Sequence, residues 1–573
     1  MPPAPITAVV GLGSLGESLL RLALAAGHEV VAVDTDLDVL ARAARRAKTA
    51  VPDGTGRVVL TDDLAEVRRA ALVVEAVTED LGVKTEVLRQ LAAAAPRATL
   101  VTTSAELPLA RLAIASGLPA NVAGLRFLVP PGPGGTAEPV HTALTSPETA
   151  AAVDALVVSL GLTPVVLGAR PAADATALVL AHLNQAVAFL DQGHASRDDI
   201  DTAMRLGCGL PQGPLQLLDT IGLDTVHAAL TRLWERTGDT SFEPAALLTR
   251  TIGAGLLGRK TGEGFHRYDD EGRALRTVAD TPGNAAVRPV RTVGILGSGA
   301  MARGIAEVTA AAGYPTVLVA RGEEKAAAAL TAVGASLKRS VERGRTTAEA
   351  RDAALARLTG ATGVGALAEC DLIVEAAAED ERVKRELFAA LGRTAKPGAL
   401  LATTTSSLSV ADCADASGRP ADVIGLHFFN PAPVMRLVEI TRTSETSDTA
   451  AATARAFTEA LGKTSVACPE RAGFIVNALL FPYLGAAVNL LDRHGTDIEE
   501  TDAAVQRGFG FPMGPFALLD TIGLDVSLAI QQRLHEQLRS PEHVPAPLLA
   551  GLVSTGALGR KNRRGFRTTV RRD

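Results

Sequence analysis

The chain has 573 residues, 47% of them hydrophobic and 21% charged, with a net charge of −6. That length exceeds what one hydrophobic core supports, and at roughly 150 residues per domain it implies about four domains. The small negative charge excludes general nucleic-acid binding, while leaving room for local basic pockets that hold an anionic ligand.

Four cysteines, Cys208, Cys370, Cys413 and Cys468, form no C-x-x-C pair. They fit neither a disulfide framework nor a zinc site, and point to a reducing cytoplasm. Abundant alanine and an excess of arginine over lysine match a high-GC bacterial coding bias. The first ten residues carry no basic region ahead of an apolar stretch, so no signal peptide is expected there. No apolar run approaches the ~20 residues of a membrane span, so no membrane partner is expected.

In chain order, the apolar residues 6–10 read as a strand, followed by Gly11-x-Gly13-x-x-Gly16 opening a helix. Glycines at this spacing permit a tight turn and close approach of the backbone to a pyrophosphate seated on the helix N-terminus. Asp34 ends the next strand, where a carboxylate holds a ribose 2′-hydroxyl. NAD is therefore the cofactor expected in this half; the competing reading is a glycine turn with no ligand. Helical spacing dominates residues 195–265, and residues 269–290, polar and containing Pro and Gly, read as a linker.

The chain then repeats itself. Pro211-Gln212-Gly213-Pro214 recurs as Pro512-Met513-Gly514-Pro515, and Leu257-Gly258-Arg259-Lys260 as Leu558-Gly559-Arg560-Lys561, both 301 residues on. Gly11 matches Gly297 at an offset of only 286, and Glu75 matches Glu375 at 300, so the second copy holds about 14 extra residues between these points. They fall in the polar helical stretch 336–357. Apolar runs at 293–296, 316–319 and 372–375, with a helix from about Ala300, imply a parallel, doubly wound sheet. Residues 473–566 read as helices. The fold class is thus α/β plus all-α, in two tandem modules, each a Rossmann-type domain followed by a helical domain. The expected boundaries are 1–166, 167–268, a linker at 269–290, 291–467 and 468–573.

The second nucleotide turn reads Gly297-x-Gly299 with Ala302 third, and Ala320 followed by Arg321 stands where the first half has Asp34. Without the carboxylate a 2′-phosphate is no longer repelled, and a guanidinium can pair with it. NAD or NADP is expected in this half; the competing reading is an Arg321 that points into solvent.

His427 follows an apolar run at 423–426, and Glu439 ends another at 437–439. A chain doubling back at Pro433, midway between them, brings the carboxylate opposite the imidazole. Gly425-Leu426-His427-Phe428-Phe429-Asn430-Pro431, Pro433-Val434-Met435 and Leu437-Val438-Glu439 together resemble the signature of the L-3-hydroxyacyl-CoA dehydrogenase family. Thr405-Ser406-Ser407-Leu408, Gly462-Lys463 and Gly473-Phe474-Ile475-Val476-Asn477 resemble further family elements. The resemblance covers nearly all of residues 291–566 and covers 6–268 less well.

It implies oxidation of (S)-3-hydroxyacyl-CoA to 3-ketoacyl-CoA, with a short-chain substrate of the 3-hydroxybutyryl-CoA kind. His427 is the implied general base and acid, and Glu439 fixes its tautomer and stabilises the imidazolium. Ser406 and Asn477 orient the substrate oxygen, Asn430 supports the site, and Glu379 and Lys384 belong to the cofactor site. Ser336 and Arg343 sit where the family touches CoA; the competing reading there is a solvated helix face. The chain departs from the family at Thr404, where an asparagine is common.

On the 301-residue offset the first half has Arg126 for His427, Val129 for Asn430, Ala105 for Ser406 and Thr176 for Asn477; Glu138 alone remains. Arginine stays protonated at any accessible pH and cannot serve as a general base. An Arg126–Glu138 ion pair is expected in place of the dyad. Because helical domains of this family mediate dimerisation, the resemblance implies an internal pseudo-dimer, with further homo-oligomerisation open. Two alternatives remain: a dehydrogenase of a free hydroxy acid, and a first half that is a non-catalytic nucleotide-binding scaffold.

Overall fold

A computed structural model describes residues 6–50, 57–275, 285–406 and 408–567. In the first half, Val-rich runs buried on both faces form β1 (Thr7–Val10), β2 (Val30–Val33) and β4 (Leu72–Glu75), with the less buried β3 (Val58–Thr61) at one edge. The sheet continues with β5 (Thr99–Thr102), β6 (Val122–Arg126), β7 (Thr136–Val140) and β8 (Thr163–Pro164). The second half repeats it as β9 (Val293–Leu296), β10 (Thr316–Ala320), β11 (Leu358–Thr362), β12 (Leu372–Glu375), β13 (Leu400–Thr403), β14 (Val423–Phe428), β15 (Leu437–Arg442) and β16 (Thr464–Pro469). Both sheets run in the same order, β3-β2-β1-β4-β5-β6-β7-β8 and its counterpart, parallel except for the antiparallel pairs β6–β7 and β14–β15. The expected doubly wound architecture is present twice.

The first sheet is flanked by α1 (Ser14–Ala25), α2 (Leu37–Ala50), α3 (Leu81–Ala94), α4 (Leu109–Ala115) and α5 (Pro147–Ser159). Its helical domain comprises α6 (Ala169–Asp191), α7 (Arg197–Cys208), α8 (Pro214–Ile221), α9 (Leu223–Thr237) and α10 (Ala246–Gly253). The second sheet carries α11 (Ala300–Ala311), α12 (Glu323–Glu342), α13 (Ala348–Ala356), α14 (Glu381–Thr394), α15 (Val410–Ser417) and α16 (Asp448–Ala460). Its helical domain is α17 (Val476–His494), α18 (Ile498–Phe509), α19 (Pro515–Ile522), α20 (Leu524–Leu538) and α21 (Pro547–Ser554). The extra residues of the second half lengthen α12 to 20 residues, against 14 in α2, and add α13. Val333, Leu337 and Ala354 close over Ala310 as a small core of their own.

The two helical domains do not pack as separate bodies. One apolar core runs through both, from Leu167 to Phe265 and from Leu437 to Phe566. In it α6 packs on α17 and α18, while each half's second helix lies against the other half's sheet, α7 on β15 and β16 and α18 on β7. With 23 residues, α6 is the one described helix long and apolar enough to cross a membrane, a length the reading of apolar runs did not anticipate, and it lies inside this shared core. Residues up to Leu275 fold back, with Tyr268 bridged to Ala274 and the Leu275 N–H donating to Arg267. On the far side, Arg288 pairs with Asp422 at 2.6 Å. Residues 276–284, the middle of the expected linker, lie outside the described residues.

Candidate active site

His427 lies at the C-terminal edge of β14, and in the antiparallel register it stands directly across from Glu439 on β15. Cross-strand neighbours bring their Cβ atoms within about 5 Å. Here the Glu439 carboxylate accepts from His427 Nδ1 at 2.6 Å. The other carboxylate oxygen, Oε1, accepts the N–H groups of Ile475 and Val476, at 3.0 and 2.9 Å, at the start of α17. Glu439 has no exposed surface, so both oxygens are committed to donors, as a buried charge requires. The imidazole is gripped by the rings of Phe429 and Phe474, at 4.7 and 5.4 Å between centroids. With Nδ1 occupied, Nε2 is the nitrogen left for proton exchange.

The turn joining β14 and β15 is pinned by a residue the sequence reading placed only as part of a matching motif. The buried ammonium of Lys463 donates to the carbonyls of Ala432 and Met435 at 2.6 and 2.7 Å. Burial pulls its pKa below the ordinary lysine value. The first half has Leu162 at the corresponding position, so this tie is absent there. Asn430 is exposed at the start of the turn, and Asn477, 9% exposed, occupies the first turn of α17, next to the Val476 N–H that holds Glu439.

Ser406 follows β13, the sheet neighbour of β14, and its N–H donates to Glu379 at 3.0 Å. The same Glu379 oxygen accepts from the Thr405 hydroxyl at 2.6 Å. Burial alone would raise the Glu379 carboxyl, yet the Lys384 charge and these donors hold it below the usual value. Lys384 is itself almost wholly buried, 2.8 Å from Glu375 and 3.3 Å from Glu379, and the Thr403 hydroxyl also donates to Glu375. Ser407 lies outside the described residues.

Both glycine turns hold a position that leaves no room for a side chain. At Gly297 (φ +140°) an added Cβ would stand 2.3 Å from the Ala376 carbonyl oxygen, and at Gly16 1.8 Å from that of Gly11. Gly13 and Gly299 have open space around them, leaving room for a ligand to approach the backbone, and Ala302 is fully buried as the third residue of its turn. Asp34 caps the first turn, accepting the Leu12 N–H at 2.7 Å and the Asp36 N–H at 3.0 Å. In the second half Ala320 is buried at the end of β10 and Arg321 is exposed, with no hydrogen bond or ion pair among the described residues. Ser336 hydrogen-bonds Glu307 on α11, whose carboxyl burial raises, and Arg343 is exposed at the end of α12.

At the dyad position of the first half, Arg126 on β6 faces Glu138 on β7 in the same register, and their charges meet at 2.6 Å. Glu138 Oε1 accepts from Leu167 and Gly168, both at 2.9 Å. These are not the residues the constant offset picks out: α6 begins about six residues earlier than α17 does on that offset. Thr176 consequently lies inside the helix, its hydroxyl donating to Ala172, instead of at a helix start as Asn477 does.

The first half also reaches the second half's site. At Gly207 of α7, an added Cβ would meet Val476 Cγ2 at 2.8 Å and Leu437 Cδ2 at 3.1 Å. Burial, with the charge of Glu439 added, pushes the neighbouring Cys208 thiol up to about 12. Nothing in the sequence marks this contact, which depends on how the halves interlock.

Two family models match the chain, each of them twice. One is described as 3-hydroxyacyl-CoA dehydrogenase, NAD binding domain, over residues 6–170 and 292–471; the other as 3-hydroxyacyl-CoA dehydrogenase, C-terminal domain, over 175–268 and 473–569. A 3-hydroxybutyryl-CoA dehydrogenase of Mycobacterium tuberculosis is 42% identical over 281 residues, 49% of this chain and 98% of that protein. The mitochondrial hydroxyacyl-coenzyme A dehydrogenase of Homo sapiens is 39% identical over 303 residues, 51% of this chain and 96% of its own length. Among solved structures, (S)-3-hydroxybutyryl-CoA dehydrogenase PaaH1 from Ralstonia eutropha is similar at 36% identity and a TM-score of 0.47, across 48% of this chain and 98% of that one.

Proposed function

The chain belongs to the 3-hydroxyacyl-CoA dehydrogenase family of NAD-dependent oxidoreductases, and we propose that its second half interconverts a short-chain (S)-3-hydroxyacyl-CoA and the 3-ketoacyl-CoA. The observation that carries this is the buried Glu439–His427 hydrogen bond at 2.6 Å, which leaves one imidazole nitrogen free. In the oxidative direction His427 Nε2 takes the proton of the 3-hydroxyl, and Glu439 stabilises the imidazolium that forms. In the reductive direction the imidazolium returns that proton to the ketone oxygen. Ser406 and Asn477 orient this oxygen, and Asn430 shapes the turn above it. The nicotinamide cofactor, when bound, accepts the hydride from C3. Gly297, Gly299 and Ala302 form the turn that would hold its pyrophosphate, and Glu379, paired with Lys384, is assigned to the same cofactor site.

Exposed Arg321 beside Ala320 favours acceptance of a 2′-phosphate, so NADP is proposed as a second cofactor of this half. Arg343 is offered to a phosphate of CoA; Ser336, already bonded to Glu307, contributes by orienting α12. A four-carbon acyl group is the proposed substrate, by likeness to the relatives named above. The first half, with Asp34 and its glycine turn intact and an Arg126–Glu138 pair for a dyad, is proposed as a non-catalytic NAD-binding scaffold joined to the active half as an internal pseudo-dimer.

Steady-state reduction of acetoacetyl-CoA tests the reading. Turnover is expected with NADH and, less efficiently, with NADPH. Arg321→Ala should lower kcat/KM for NADPH by about tenfold, the loss of one charge-assisted contact, and leave NADH use unchanged. Absence of turnover with either nucleotide would overturn the assignment.

A further inference from the structure

A cavity of about 110 Å3 lies between the halves, lined chiefly by His182, Met204 and Cys208 of the first and by Leu480, Tyr483 and Phe511 of the second. None of its lining residues belongs to the dyad or to the nucleotide turns. Two buried polar atoms there, His182 Nδ1 and the Tyr483 hydroxyl, lack a hydrogen-bond partner among the described residues, although their residues are only 3% and 5% exposed. The other ring nitrogen of His182 bonds the Leu479 carbonyl, so it carries the proton and Nδ1 is a bare acceptor. Buried polar atoms are normally satisfied, and a pair left open beside a cavity points to a guest.

The duplication shows how the space arises. His182 and Tyr483 correspond to each other across the two halves, and their rings meet with centroids 5.4 Å apart. Cys208, however, corresponds to Phe509, which is buried and packs on Phe511. On one side of the interface a phenyl ring fills the position, and on the other a thiol leaves it open. The mouth is formed by exposed Pro512 and half-buried Met513.

We infer that this cavity is a binding site for a small hydroxyl-headed aliphatic molecule, an alcohol or an undissociated short-chain carboxylic acid. The guest's O–H donates to His182 Nδ1 and its oxygen accepts from the Tyr483 hydroxyl. Its tail lies against Met204, Cys208, Leu480 and Phe511. An engineered apolar cavity of about 150 Å3 holds benzene, so this one admits roughly four to six non-hydrogen atoms. A carboxylate is disfavoured, because neither polar group in the cavity brings a positive charge to pair with it. The guest sits next to Cys208, on whose thiol the charge of Glu439 acts.

The test is titration of the full-length chain with butan-1-ol and with butyric acid, at about pH 5 and about pH 8, followed by calorimetry and by the rise in Tm. Saturable binding is expected, of the alcohol at both pH values or of the acid only at the lower one, and the pattern identifies the class. Tyr483→Phe, which removes one hydrogen bond and keeps the ring, should weaken binding about fivefold. Cys208→Phe, which copies the arrangement at Phe509, should abolish it while the chain still folds. Binding that both variants leave unchanged, or no saturable binding of either guest to the parent chain, would overturn the proposal.

Discussion

Glu439 and Glu138 occupy corresponding places in the two sheets, and each uses one oxygen to accept two backbone N–H groups. What differs is the partner of the other oxygen. Opposite Glu439 stands an imidazole, which can both take up and return a proton; opposite Glu138 stands a guanidinium, which offers only donors. The buried lysines show the converse, a device kept in both halves. Lys384 neutralises Glu375 at 2.8 Å, and Lys84 neutralises Glu75 at 3.0 Å. Removing one member of a buried pair strands the other, which typically costs about 3–5 kcal/mol. Lys384→Met should therefore destabilise the chain by about that amount in urea denaturation, and a Glu375→Leu, Lys384→Met double variant should recover much of it. Equal losses in the single and double variants would contradict this pairing.

At the scale of elements, the nucleotide turns depend on backbone that tolerates no side chain. The Cβ of Gly297→Ala would fall 2.3 Å from the Ala376 oxygen at φ +140°. Strain of this kind typically costs about 1–3 kcal/mol, so NADH-dependent turnover should fall about tenfold to a hundredfold, as an NADH titration of the rate would show. Much of this level is legible in the sequence. Strand, glycine turn and carboxylate follow one another at fixed spacing, and the separation of His427 from Glu439 about Pro433 already describes the hairpin. Less legible was the earlier start of α6: the 301-residue offset matches Thr176 to Asn477, yet the backbone hands the glutamate-binding role to Leu167 and Gly168. A local shift of this kind changes no motif. The buried position of Lys384 was hidden too, because only packing reveals which side of α14 faces the sheet.

At the scale of the molecule, the shared helical core ties the two halves together. The first half's α7 closes over Val476 and Leu437, and α6 supplies part of the core in which α17 lies. None of this follows from either half read alone. It brings His182 to the interface, where burial lowers its pKa to about 4 from an ordinary 6.5. The folded state then binds fewer protons than the unfolded one between those values. Its contribution to stability is complete above about pH 6.5 and is lost as pH falls towards 4. The loss should amount to about 3 kcal/mol at most, because each tenfold change in proton affinity is worth about 1.4 kcal/mol. His182→Tyr, which copies Tyr483, should flatten the fall of Tm with acid over this window; an unchanged slope would show that His182 does not carry it.

The proposal that catalysis resides in one half is tested most directly by acetoacetyl-CoA-dependent oxidation of NADH in two full-length variants measured side by side. His427→Gln should lower kcat by about 10²–10⁴, the usual worth of a positioned acid–base group, while Arg126→Ala leaves it nearly unchanged. Turnover that survives in His427→Gln, or that disappears in Arg126→Ala with the fold intact, would contradict the assignment.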